Sequence, residues 1–73
     1  DVVTRADLLY RLGEVALSLK DVSGAVSGFD QASRLLAQDI NFQIRLGDRL
    51  AEAGHYAEAV EFYRRALELD PSL

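Results

Sequence analysis

The tripeptide Arg11-Leu12-Gly13 returns as Arg45-Leu46-Gly47, 34 residues later, and the likeness extends well beyond it. Laid over each other without a gap, residues 6–39 and 40–73 match Ala25 to Ala59, Val26 to Val60, Ala32 to Ala66 and Leu35 to Leu69. Phe29 stands opposite Tyr63 in the same alignment. The matched positions are mostly small or apolar, the kind that packing constrains. A repeat of this length is one supersecondary unit that cannot bury its apolar face alone, so it stacks on neighbours. The chain therefore divides into a lead-in, residues 1–5, and two repeats, residues 6–39 and 40–73.

Within each repeat the apolar residues recur at spacings of three and four. Leu8, Leu9, Leu12, Val15, Ala16 and Leu19 make one stripe, and Val22, Ala25, Val26, Phe29, Ala32 and Leu36 a second. Phe42, Leu46, Leu50 and Ala53 make a third, and Tyr56, Ala59, Val60, Tyr63, Ala66 and Leu67 a fourth. This is the period of an amphipathic helix, and nothing alternates as a strand would. Asp21 and Asp39 stand where they can cap the second and third helices. Gly54-His55 separates the third from the fourth, with His55 as N-cap and Glu58 in capping-box position. Asp70-Pro71 ends the last, because the residue before proline is pushed out of helical geometry. The expected fold is all-α: four helices of about 13 to 16 residues in two antiparallel hairpins.

These residues resemble the tetratricopeptide repeat. Its pattern has a Leu-Gly pair in the first helix, a small residue early in the second, an aromatic four later, an alanine three after that, and a closing proline. Residues 40–73 fit with Leu46-Gly47, Gly54, Tyr56, Ala59, Tyr63, Ala66 and Asp70-Pro71. Residues 6–39 fit with Leu12-Gly13, Ala25, Phe29 and Ala32. There are departures: Leu9 and Gln43 replace the aromatic before the Leu-Gly pair, with Phe42 able to fill that space. Ala16 and Leu50 replace the tyrosine after it. Ala37 stands where the first repeat would have proline, so a longer helix or a looser hinge is expected there. The resemblance implies hairpins stacked as a right-handed α-solenoid. Gly13 and Gly47 would face Ala25 and Ala59, while Phe29 and Tyr63 would fill the space between successive hairpins.

In this family partner peptides lie in a concave groove lined by the first helix of each repeat. The resemblance places there Asp7, Tyr10, Arg11, Glu14, Leu17 and Ser18, continued by Asn41, Ile44, Arg45, Asp48, Ala51 and Glu52. Arg11 beside Arg45, and Glu14 beside Asp48, would form two ladders. Stacked arginines can grip carboxylates, or Arg11 with Glu14 and Arg45 with Asp48 can satisfy each other as (i, i+3) pairs. The family's lysine- and asparagine-rich clamp for a C-terminal carboxylate is not expected, since Tyr10, Glu14 and Asp48 occupy its places. A peptide with basic and apolar residues suits this lining better. The expected function is a non-catalytic scaffold that binds a protein or peptide.

Composition narrows the alternatives. Net charge is −4, the wrong sign for a nucleic-acid binder, whose binding face is basic. Arg64-Arg65, the one basic doublet, lies among Glu58, Glu61 and Glu68 and reads as a salt-bridged helix face. Without cysteine there is no thiol nucleophile or disulfide. Glu52-x-x-His55 has di-iron spacing, but such a site needs the motif twice. Gly24-x-x-x-Gly28 matches a membrane dimer motif, yet here close packing on a neighbouring helix is the expected role. No catalytic triad or phosphate loop is present, and no cofactor, nucleic acid or membrane insertion is expected. No apolar run is long enough to span a bilayer, which leaves the compartment open with the cytoplasm favoured.

Seven of eight basic residues are arginine, which hints at a GC-rich bacterial genome. The chain opens at Asp1 rather than Met and is expected to be a piece of a longer array. Leu8, Leu12 and Val15 on one side, and Val60, Leu67 and Leu69 on the other, are expected to be partly exposed, which makes a homo-oligomer the alternative function.

Overall fold

The computed structural model describes every residue from Asp1 to Leu73, and they form four α-helices and no strand. These are α1 (Val2–Ser18), α2 (Val22–Leu35), α3 (Ile40–Glu52) and α4 (Tyr56–Leu69). They pack as two hairpins, α1 on α2 and α3 on α4, within two compact units, residues 1–36 and 37–73.

Capping explains most of the helix starts. The carboxylates of Asp21 and Asp39 accept the amides of Gly24 and Phe42, as the sequence indicates, each satisfying an orphan donor of the first turn. Asp1 does the same for Thr4, so residues 1–5 carry the cap and first turn of α1. The α4 start differs from expectation. His55 holds the N-cap position and its carbonyl accepts the Ala59 amide, but its imidazole makes no capping bond. Missing proline at Ala37 does not lengthen α2, which ends at Leu35, the counterpart of Leu69 at the end of α4.

The two hairpin turns are built alike. In the first, the amide of Asp21 bonds the Ala16 carbonyl at 2.8 Å and that of Lys20 bonds Leu17 at 3.0 Å. In the second, His55 bonds Leu50 and Gly54 bonds Ala51, both at 2.9 Å. This is the Schellman pattern, and it requires a left-handed residue after the helix. Gly54 meets that need at φ +87°, whereas Lys20 is forced to φ +64°. Lys20→Gly is expected to raise stability by about 0.5–1 kcal/mol, the relief of left-handed strain less the entropy of a new glycine. An unchanged urea midpoint would show that the lysine is not strained.

The core of the first hairpin is Ala6, Tyr10, Gly13 and Leu17 from α1 against Ala25, Gly28, Phe29, Ala32 and Ser33 from α2. The nearest neighbour of Gly13 across the hairpin is an aromatic ring. A Cβ on Gly13 would run into the ring of Phe29, and one on Gly28 would come within 3.1 Å of the Leu9 carbonyl oxygen and 3.3 Å of the Gly13 amide nitrogen. The backbones of α1 and α2 thus approach at Gly13 and Gly28, and Phe29 fills the hairpin's own interior. The second hairpin repeats half of this device: a Cβ on Gly47 would stand 2.6 Å from Cε1 of Tyr63. Gly24 serves the cap instead, for a Cβ there would overlap the Asp21 carboxylate.

In the second hairpin Phe42, Gln43, Leu46, Gly47 and Leu50 of α3 and Ala59, Phe62 and Ala66 of α4 are buried. Phe42 and Gln43 both turn inward, and no buried side-chain polar atom of the chain lacks a partner. The outer face of α4 carries the expected ion pairs, with Glu61 holding Arg64 at 3.4 Å and Arg65 at 3.6 Å. Arg65 also lies over the Phe62 ring, 4.9 Å from its centroid. Exposed pairs of this kind are worth only a few tenths of a kcal/mol each, ~0.3–0.5. No helix is long and apolar enough to cross a membrane.

Candidate interaction faces

On α1 the candidate residues separate into two groups. Tyr10 and Leu17 are buried, and Tyr10 stacks on Phe29 with ring centroids 5.3 Å apart and planes 24° from parallel. Most of the Tyr10 ring is therefore spent on the hairpin core, leaving little of it for a partner. Asp7, Arg11, Glu14 and Ser18 stay at least partly open to solvent. Arg11 pairs one turn back, its Nε donating to Asp7 Oδ2 at 2.9 Å, where the (i, i+3) reading had put Glu14. The (i, i+4) arrangement with the acid on the N-terminal side is the favourable one on a helix. Ser18 donates to the Glu14 carbonyl at 3.2 Å.

The same positions on α3 behave differently. Asn41, Arg45, Asp48 and Glu52 are exposed, and Ile44 and Ala51 are half-buried. Asp48 is engaged across the hairpin: the Tyr63 hydroxyl of α4 donates to its Oδ1 at 2.6 Å. Tyr63 was not among the candidates, because the pattern marks it only as a packing aromatic. The signal that would have found it is the contrast at period 34, where Phe29 lacks the hydroxyl.

The hydrogen bond to Asp48, then burial, then the charges of Asp48 and Glu52, push the Tyr63 phenol up from 10.0 to about 12. Since the folded chain holds this proton more tightly than the unfolded one, the resulting stability is whole below pH 10 and is lost as pH rises from 10 towards 12. Tyr63→Phe is expected to cost about 0.5–1 kcal/mol near neutral pH, and the deficit should shrink across that window. Urea titrations of both proteins at about pH 8 and about pH 11 read the difference directly. A constant gap would show that the Asp48 bond does not hold the proton.

No group of three or more His, Cys, Asp or Glu side chains is placed to hold a metal ion. What each hairpin offers is a first helix with charged side chains on its open face, anchored by an aromatic of the second helix beneath a glycine.

Comparison with known proteins accords with that arrangement. The family description that matches residues 41–73 is the tetratricopeptide repeat. Superkiller protein 3 of the fission yeast Schizosaccharomyces pombe is 35% identical over 60 residues, 82% of this chain. The match spans 4% of that protein's length. A yeast relative lends no support to the bacterial origin suggested by arginine usage.

Proposed function

The chain belongs to the tetratricopeptide repeat family, and we propose that it is a non-catalytic scaffold that binds a partner peptide in the groove of that family. Repeats of this family are generally protein–protein interaction modules. The observation that supports the reading here is the recurrence of an exposed arginine, Arg11 and Arg45, at one position of both repeats. Asp7, Glu14, Asn41, Ile44, Asp48 and Glu52 complete the proposed contact set, with Tyr10 contributing no more than a ring edge. Because Asp7 holds Arg11 and Asp48 accepts from Tyr63, these charges are already oriented before a partner arrives, which lowers the cost of ordering them on binding. Alternating acids and bases favour a peptide with basic and apolar residues over a strongly acidic one.

Selection of displayed peptides on the immobilised chain tests this. The peptides recovered should carry a carboxylate among basic and apolar residues, and Arg11→Glu with Arg45→Glu should remove its grip and weaken them about tenfold or more without altering the helical spectrum, a loss of about 1.4 kcal/mol. Recovery of no peptide, or binding indifferent to both arginines, overturns the reading. Self-assembly is the second reading. It is favoured by one observation, the large apolar side chains that α1 and α4 leave exposed.

A further inference from the structure

The charged side chains proposed to meet a peptide differ in how much of their charge is still available. Arg11 and Asp7 are spent on each other, Nε 2.9 Å from Oδ2, so a peptide that takes one competes with the other. Glu14 and Arg45 have interactions of their own within the chain. Asp48 is different. It is exposed, the Tyr63 hydroxyl at 2.6 Å is its one partner, and no cation of the chain pairs with it. A phenol is a neutral donor, so it holds the carboxylate in place without cancelling its charge. Oδ1 takes that bond, and Oδ2 receives none from the chain.

The second hairpin fixes Asp48 from two sides. Leu46 and Leu50, two residues before and after it on α3, are fully buried, which holds the backbone that carries it. From α4 the Tyr63 ring lies against Gly47, where the missing Cβ lets it pass close to α3 and bring its hydroxyl to the next residue. The first hairpin has the same path without its end. Phe29 lies over Gly13 in the same way, but it has no hydroxyl, and the residue after the glycine is the longer Glu14. A donor on the second helix and a short acid on the first thus occur together in one repeat and are both missing from the other. An exposed carboxylate gains little from a bond that only holds the fold, whereas one oriented beforehand with its charge intact loses less freedom when a cation arrives.

We propose that Tyr63 is a positioning residue for partner recognition: it holds Asp48 so that the carboxylate takes a basic side chain of the bound peptide. Tyr63 acts through Asp48 and does not itself meet the peptide. The assignment rests on the peptide-binding reading and sharpens it, for it makes the second repeat the place where a lysine or arginine of the partner is read. It also divides the labour of the charges, with the arginines taking the partner's carboxylate and Asp48 its cation.

Calorimetric titration tests this with the tightest peptide selected on the immobilised chain and a set of copies in which each basic residue in turn is glutamine. Wild type, Tyr63→Phe and Asp48→Asn are compared, with circular dichroism as the folding control. Phenylalanine should be accommodated at Tyr63, since Phe29 occupies the same place over Gly13. Asp48→Asn removes the charge and should weaken the parent peptide about fivefold. Tyr63→Phe keeps the charge but lets it swing, and should weaken the same peptide about threefold. Against one glutamine copy both losses should vanish, because that copy lacks the cation that Asp48 takes. A Tyr63→Phe variant that weakens every copy alike would mean that the tyrosine merely braces α4 on α3, and would overturn the proposal. So would either variant binding the parent peptide as tightly as wild type. In each of those cases peptide binding through Arg11 and Arg45 still stands. Recovery of no peptide from the selection sinks both the groove reading and this role of Tyr63.

Discussion

Leucine at Gly13 is expected to leave the first hairpin unfolded, and even alanine there should cost more than alanine at the equivalent Gly47. Gly13 is buried beneath Phe29, so that an added Cβ would collide with Cε1 and stand 2.5 Å from Cδ1. The ring cannot retreat easily, since Phe29 is fully buried, stacks on Tyr10 and shares its helix with Gly28, whose own close approach to the Leu9 carbonyl pins α2 to α1. Tyr63 over Gly47 is only half-buried, and it can swing outward at the expense of its bond to Asp48. Overpacking costs about 1–3 kcal/mol, and replacing a helical glycine by alanine returns up to about 1 kcal/mol through helix propensity. Gly47→Ala should therefore come out near neutral, while Gly13→Ala loses about 1–2 kcal/mol and Gly13→Leu considerably more. Urea unfolding followed by far-ultraviolet circular dichroism ranks the three. Equal losses at Gly13 and Gly47 would mean that the rigidity of Phe29 does not matter.

The hairpins were legible because helical periodicity and the 34-residue period report on the same thing, burial of one face. Asp21 and Asp39 were legible as caps because their chemistry is local. What escaped was set by neighbours distant in sequence or by cost. Val2 and Val3 are exposed and break the amphipathic pattern, so the first turn of α1 was hidden until Asp1 was seen to cap it. Lys20 gives no sign of a left-handed turn, which only its alignment with Gly54 would have revealed. A glycine announces that something approaches closely but not what, and here the nearest atoms are those of aromatic rings. Among the candidate contacts, tyrosine suits either a groove or a core, and only the stacking on Phe29 decides for Tyr10. Arg11 had acids in reach on both sides, and the helix geometry chose Asp7.

Phe29→Ala should be the most damaging truncation in the chain, with a loss of about 3–5 kcal/mol. Folded domains of this size carry roughly 0.05–0.15 kcal/mol per residue of net stability, so such a loss consumes most of it. One wall of the cavity would be hard to fill, because the surface against the ring there is the backbone of Gly13, which has no side chain to repack into it. The same geometry makes the two positions depend on each other. In wild type Gly13→Ala is penalised by the ring; in the Phe29→Ala background the collision is gone, the new methyl occupies part of the void, and the helix-propensity gain remains. Gly13→Ala should then change sign and stabilise the variant by about 1 kcal/mol. A double-mutant cycle of these two substitutions, measured at a temperature where Phe29→Ala is still partly folded, would give a large favourable coupling. Additive effects would mean that glycine serves Gly28 and the backbone approach alone, with Phe29 a bystander above it.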